Sequence, residues 1–407
     1  MRILLITQLF QPEPNHLKGL AFAKELVRLG HEVEVLTGFP NYPGGKIYPG
    51  YRQRWSARES IDGISVIRVP LYPDHSGSGL RRMLCYLSLA FSASLPGLFS
   101  VRRPDVVHVY QGPATLALPA MLLRLLRGVP YLLDVQDLWP ESVTSSGMLS
   151  LPGLTFCLNR WCDLAHRLAA KIVVLSPGYK RALTARGVPA DKIEVVYNWS
   201  SESRDGAPAL EDKTADPFGL DGRFTVVYAG NLGRVQALDA VLESAALLQK
   251  GYPDVLFLLV GDGIETERLK ELACRQGLSN VRFIPRLPVS QIGSILEKAD
   301  ALLIHLRDDP LCRVGIPQKT QAYLAAGRPI LVGVKGDAAD LVLEAKSGIA
   351  CEPEQPASIA AAVKQLHGLT PLEREQMGQN GATYYQRHLA FSVGVKRMED
   401  LFKGTAA

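Results

Sequence analysis

Short runs of Val, Ile and Leu alternate with segments of helical periodicity along almost the whole of this 407-residue chain. A strand buried on both faces reads as a continuous apolar run, and a helix must cross back before the next parallel strand can start. The alternation therefore predicts α/β architecture with doubly wound parallel sheets. Strands are expected near 2–7, 33–37, 64–69, 106–109, 130–134, 171–174 and 193–196, then near 224–229, 255–260, 281–284, 300–304, 329–333 and 348–351. Helices fill the gaps, notably 17–29 closed by Gly30 and 113–127 closed by Gly128, because glycine readily takes the left-handed conformation that ends a helix. From Ser200 to Asp221 the chain is rich in Ser, Asp, Ala and Pro without periodicity, which marks a linker. The expected division is a first domain over 1–200, a linker over 201–222 and a second domain over 223–387, with the C-terminal helix 388–407 packing back on the first.

Charge separates the two halves. Residues 1–200 carry 22 Lys and Arg against 14 Asp and Glu, whereas the remainder carries 23 against 26. A basic first half suits an anionic partner or membrane face, but pairs such as Arg81-Arg82 and Arg102-Arg103 are too short and too poor in aromatics for a nucleic-acid tract, so no nucleic acid is expected. The six cysteines are scattered through apolar runs with no C-x2-C pair, which reads as reduced buried thiols in a cytoplasmic protein. The opening Met1-Arg2-Ile3-Leu4-Leu5-Ile6-Thr7 is too briefly apolar for a signal peptide and reads as a strand.

Two turns carry the chemistry. Gly230-Asn231-Leu232-Gly233-Arg234 follows the strand 224–229 and opens a helical segment, where glycines let backbone amides approach an anion. Gly315-Ile316-Pro317-Gln318-Lys319 places Lys319 in the first turn of a helix, the end where the dipole disfavours a cation by a few tenths of a kcal/mol. A solvated lysine is the bland reading, and a diphosphate cradle is the preferred one. Neither turn has the full G-x-G-x-x-G spacing, so a nicotinamide cofactor is not expected.

From Met83 to Val101 there are 19 residues without charge, flanked by Arg81-Arg82 and Arg102-Arg103. Three readings stand open: buried crossover helices, helices lying in the membrane interface with arginines at the headgroups, and a bilayer span. Pro96-Gly97, four serines and the position between two strands of one sheet weigh against a span, and the basic first half favours surface attachment.

Seven marks in order add a resemblance. They are Leu29-Gly30-His31-Glu32-Val33, Thr37-Gly38-Phe39-Pro40-Asn41-Tyr42-Pro43, Asp137-Leu138-Trp139-Pro140-Glu141-Ser142, Asn198-Trp199-Ser200, Tyr228-Ala229-Gly230-Asn231, Val260-Gly261-Asp262-Gly263 and Ile316-Pro317-Gln318-Lys319. With them the chain resembles, over nearly its full length, a retaining glycosyltransferase of the GT-B fold, family 4, in the branch building bacterial capsule, O-antigen and colanic-acid type polysaccharides. The resemblance implies two Rossmann-like domains with an interdomain cleft, and a UDP-sugar on the second domain. Gly230, Asn231, Gly233 and Arg234 would hold the diphosphate with Lys319 across from them, beside Pro317 and Gln318, and the base would lie near Phe283 and Arg286. On the acceptor side it implies Asn15, His16, Lys18, Tyr42, Asp137 and Glu141. Trp139 is core or a stacking face for a sugar ring.

Retention in this fold is commonly explained by front-face attack, with the departing phosphate deprotonating the acceptor. Lys319 and Arg234 would then steady the leaving group and Asp137 would orient a substrate. No metal or other cofactor is expected. The family's two glutamates around the second turn fall at Val314 and Ala322, which motivates a rival reading as a catalytically silent subunit binding a partner transferase. A UDP-sugar 2-epimerase is the other rival, weakened by the scarcity of carboxylates and histidines over 310–325. The implied activity is transfer of a sugar, an N-acetylated deoxyhexose, from UDP to a lipid-linked, undecaprenyl-type glycan. The implied place is the inner face of the plasma membrane, contacted through Arg81-Arg82 and residues 83–103.

Overall fold

The computed structural model describes residues 1–75, 78–145, 152–200, 220 and 222–406. Two compact units emerge, Met1–Tyr197 with Gly394–Ala407, and Asn198–Val393. The expected linker lies outside the described residues apart from Leu220 and Gly222.

In the first unit the strands are β1 (Arg2–Thr7), β2 (Glu32–Gly38), β3 (Ala57–Ile61), β4 (Ile64–Val69), β5 (Val106–Gln111), β6 (Tyr131–Val135), β7 (Lys171–Val174) and β8 (Ile193–Val195). They form one sheet in the order β3-β4-β2-β1-β5-β6-β7-β8, parallel except for the antiparallel pair β3 and β4. β3 escapes a periodicity reading because Ala-Arg-Glu-Ser-Ile is a half-exposed edge strand with little apolar content. Its Arg58 reaches Glu34, a carboxylate buried on β2, so the edge is tied by charge rather than by packing.

The apolar segment after β4 forms helix Gly79–Ser92, a π turn Ala93–Gly97 and a short helix Leu98–Ser100. One face, with Cys85, Leu89, Ala90, Ala93, Gly97 and Leu98, is buried. Gly97 lies so close to the Leu36 side chain that a Cβ would meet it at 3.0 Å. The run Gly79–Ser100 is long and apolar enough to cross a membrane, yet it connects β4 and β5 of one sheet, so it is a crossover element with a second face left in solvent. The chain's last helix, Phe391–Ala406, is held within the first unit by a 3.2 Å contact between Glu399 and His31 and by Phe402 against the His108 ring.

The second unit contains β9 (Phe224–Ala229), β10 (Val255–Val260), β11 (Val281–Ile284), β12 (Ala301–His305), β13 (Ile330–Gly333) and β14 (Gly348–Ala350), all parallel, in the order β11-β10-β9-β12-β13-β14. Strand order reverses between β9 and β12, and a ligand crevice in such a sheet lies beyond the carboxyl ends of the strands on either side of that reversal. There the chain places Gly230, just after β9, and His305, the last residue of β12.

Candidate active site

Glycines shape the floor of the second-unit site. Gly230 and Gly261 follow β9 and β10 with φ of 148° and 142°, which side chains rarely adopt. A Cβ on Gly261 would sit 1.9 Å from the Gly230 carbonyl, and one on Gly263 would sit 2.3 Å from that of Leu232. The two turns can nest only because these positions are glycine. Most amides of the first turn are already committed: Gly230 N–H donates to Val260 O, Leu232 N–H to Asp262 O, and Gly233 N–H to the Gln236 side chain. Gln236 also accepts from the Asn231 amide group at 3.4 Å.

His305 clamps this turn from β12. Its Nδ1 lies 2.7 Å from the Gln236 carbonyl and its Nε2 accepts from the Glu354 amide at 3.1 Å, a pattern that requires the neutral ring protonated on Nδ1. Burial acts in the same direction, holding the His305 pKa below its ordinary value.

Lys319 enters from the first turn of helix Gln318–Ala326. Its buried Nζ has no hydrogen-bond partner among the described residues and stands 3.5 Å from the centre of the Tyr228 ring. A Cβ on Gly230 would lie 3.0 Å from that nitrogen. Burial pushes the Lys319 ammonium down to about 7. The solvated-lysine reading therefore fails: the cation is aimed inward, at the bend of the glycine turn. Tyr228 is fully buried and hydrogen-bonds through its hydroxyl to the Asn231 carbonyl at 2.7 Å, while Tyr323, from the same helix as Lys319, receives the Ala229 amide at 2.8 Å.

Other expected donor-side residues are less gathered. Arg234 is 80% exposed and pairs with Glu265 at 3.2 Å. Arg286 and Gln318 are exposed, Pro317 is half-buried, and Phe283 packs against the sheet core. Val314 is half-buried and Ala322 buried, so no carboxylate stands at either position. Asp308 pairs with Arg313 and Lys335, and Asp309 caps the helix Pro310–Val314. Among the described residues, no group of three or more His, Cys, Asp and Glu is gathered to hold a metal ion.

In the first unit, the loops after β1 and β2 are stapled by Glu13, whose Oε1 accepts the Asn41 and Tyr42 amides at 2.7 and 2.8 Å. Burial raises the Glu13 pKa against the pull of those amides. Asn15 binds the Leu9 carbonyl and caps Lys18 N–H, so its side chain is spent on loop geometry. His16 is exposed and Tyr42 half-exposed, its ring edge-on to His75 at 5.0 Å.

Lys18 points into the unit's interior rather than to an acceptor surface. Its Nζ lies 3.8 Å from Asp134 Oδ2, an atom that also contacts His108 Nε2 at 3.1 Å. Asp137 is exposed, and its charge, after burial, helps raise the pKa values of Tyr110 and Tyr179. Glu141 starts helix Glu141–Ser145 and pairs with Arg186, which also binds the Trp139 carbonyl at 2.8 Å. Trp139 belongs to a buried cluster with Ala114, Val143, Leu158 and Cys162, which settles it as core.

Tyr228, Gln236, His305, Tyr323, His108 and Asp134 were not legible as site or network residues. His305 left one trace in the sequence, a polar residue ending the apolar run Ala-Leu-Leu-Ile-His.

Family models match both halves: a glycosyl transferase 4-like domain over residues 20–199 and glycosyl transferases group 1 over residues 212–384. WcaI of Escherichia coli (strain K12), named as a colanic acid biosynthesis glycosyl transferase, is 28% identical over 84% of this chain and 85% of its own. WbjE of Pseudomonas aeruginosa, named as a probable glycosyltransferase, is 25% identical over 75% of this chain and 78% of its own. The structure of Anabaena HepE in complex with UDP superposes with a TM-score of 0.70 at 15% identity, covering 99% of this chain and all of that one, which bears on the fold. These matches favour neither the silent-subunit nor the epimerase reading.

Proposed function

We propose, starting from a chain that is a glycosyltransferase of the GT-B fold in polysaccharide biosynthesis, that its second unit holds the diphosphate of a UDP-sugar over the Gly230 turn. The observation that carries this reading is the buried Lys319 ammonium, unpartnered and 3.0 Å from where a Gly230 side chain would start. A cation buried without a counter-ion is costly, and an arriving diphosphate supplies the missing charge. As the bond from sugar C1 to the β-phosphate oxygen breaks, charge grows on that oxygen, and Lys319 with the turn's dipoles stabilises it without reorganising.

Transfer proceeds with retention by front-face attack. The acceptor oxygen bonds C1 on the face the phosphate leaves, and its proton passes to the phosphate oxygen. Asp137 orients a substrate, and no metal takes part. The donor sugar is an N-acetylated deoxyhexose and the acceptor a lipid-linked glycan.

The first unit's solvent-facing apolar row supports a lipid surface as the enzyme's cytoplasmic docking place. Leu80, Leu84, Leu87, Phe91, Leu95 and Phe99 recur at helical spacing, with Leu80 72% and Phe99 87% exposed. Arg81 and Arg82 flank one end and Arg102 and Arg103 the other, suiting anionic headgroups. Burying each such side chain contributes about 1.5–3 kcal/mol at most, so even partial insertion of the row outweighs any single arginine contact of about 1 kcal/mol.

Isothermal titration of the purified chain with UDP, ADP and GDP tests the donor reading. Selective UDP binding that weakens in Lys319→Ala supports it, and equal or absent binding overturns it. Sedimentation with phosphatidylglycerol vesicles tests the surface: binding lost in Leu84→Ser/Phe91→Ser supports it, and wild type remaining in the supernatant overturns it.

A further inference from the structure

The buried Lys319 ammonium needs something to hold it in the absence of a ligand. Among the described residues its Nζ has no hydrogen-bond partner, and the Tyr228 ring centre lies 3.5 Å away, well inside the distance at which a cation is attracted to an aromatic face. Tyr228 is itself fixed at both ends: its ring is fully buried in the sheet core, and its hydroxyl donates to the Asn231 carbonyl at 2.7 Å, in the turn that the ammonium overlooks. Gly230 keeps the space between ring, ammonium and turn open, since a Cβ there would meet Nζ at 3.0 Å and the Tyr228 hydroxyl at 3.7 Å.

We propose that Tyr228 is a positioning residue whose ring face stores the Lys319 cation beside the Gly230 turn, and that an arriving nucleoside diphosphate draws the cation off the ring. This rests on the nucleotide reading above and adds a device to it: the site carries its cation on a π face rather than on a carboxylate, so the ligand's phosphates do not compete with an internal anion. An aspartate or glutamate in Tyr228's place would hold the lysine more firmly and oppose the phosphate.

The device has a signature in protons. The titratable side chains around Nζ are Tyr228 on β9, Tyr323 on the same helix as Lys319, and His305 on β12, none of them negative at neutral pH; Glu354 meets His305 through its backbone amide, and its carboxylate accepts from the Asp308 amide. Burial alone lowers Lys319, to about 7, so in the free protein near pH 7.5 a substantial fraction is neutral. A diphosphate raises the affinity of Nζ for its proton, and UDP binding therefore takes up a proton above pH 7. Removing the ring removes a contact that favours the charged form, so the uptake profile moves to lower pH by about half a unit to one and a half units.

The test is titration calorimetry with UDP between pH 6 and 9 in pairs of buffers of different ionisation heat, for the wild type, Tyr228→Phe, Tyr228→Leu and a chain carrying pentafluorophenylalanine at 228. The last keeps the ring's shape while reversing its quadrupole, so it serves if the leucine variant is unstable. Expected are a wild-type profile rising through pH 7, a similar profile in Tyr228→Phe, and a downward displacement when the ring is removed or fluorinated, with UDP binding roughly 3- to 30-fold tighter below pH 7, because the free state alone loses the ring contact. If UDP binds but the profile is the same in every variant, Tyr228 is only core and the inference falls while the nucleotide reading stands. If the wild type binds no UDP, both fall together.

Discussion

Among the described residues, two lysines carry buried ammonium groups, one in each unit, and they are buried differently. Lys18 lies 3.8 Å from Asp134, which in turn contacts His108, and its surroundings include the Phe22 ring at 5.5 Å. Lys319 has the closer ring, Tyr228 at 3.5 Å, and no counter-ion among the described residues. Burial drives both ammonium groups down, to about 8 for Lys18, where Asp134 pulls back, and to about 7 for Lys319, where nothing does. Burial also works against the Asp134 carboxylate, but Lys18, His108 and Gln136 outweigh it and leave its pKa below the ordinary value. A closed network of this kind leaves no charge uncompensated, so removing one partner is costly to the unit that contains it, whereas an open cation is a place for a ligand.

Breaking the closed network should have the largest effect, and on stability. Lys18→Met leaves Asp134 buried against His108 and is expected to cost about 3–5 kcal/mol in urea unfolding, with UDP affinity of the folded protein unchanged. Lys319→Ala should do the reverse. Turnover is expected to fall about 10²- to 10³-fold, more in kcat than through KM, while unfolding free energy stays level or rises because an uncompensated charge has gone.

The pH dependence sharpens the contrast. Lys319 is below its unfolded value of 10.5, so the folded state binds fewer protons between about 7 and 10.5 and stability rises with pH across that window. UDP affinity runs the other way, flat below about 7 and falling by up to about tenfold per unit above it, because only the charged lysine serves the phosphate. Lys319→Met should abolish both slopes. Arg234→Ala is expected to lower kcat/KM by only about 3- to 10-fold, since that guanidinium is exposed and already shares Glu265. Smallest of all is chelation: EDTA should change turnover by less than about twofold if Lys319 and the turn neutralise the leaving phosphate unaided.

The same contrast explains what could be read from the chain beforehand. Strand positions were legible because doubly buried strands are continuous apolar runs, and among the described strands only β3 was missed, its edge position leaving it polar. Lys319 was legible as a cation at the wrong end of a helix dipole. Tyr228 was not, because an aromatic inside Phe-Thr-Val-Val-Tyr-Ala looks like any core residue until the lysine, 91 positions on, is folded onto it. Lys18 and Glu141 were read as facing an acceptor, but their partners Asp134 and Arg186 are distant in sequence, and only the fold brings them together. Met83 to Val101 announced its apolarity, yet the division into a packed face and a bare one follows from where β4 and β5 lie in the sheet.

A structure of the protein with UDP bound is the most direct test. The β-phosphate should stand over the Gly230 turn with Lys319 Nζ within about 3 Å of one of its oxygens and withdrawn from the Tyr228 ring. A diphosphate bound elsewhere, with Nζ still seated on that ring, would contradict the assignment of Lys319 to the leaving group.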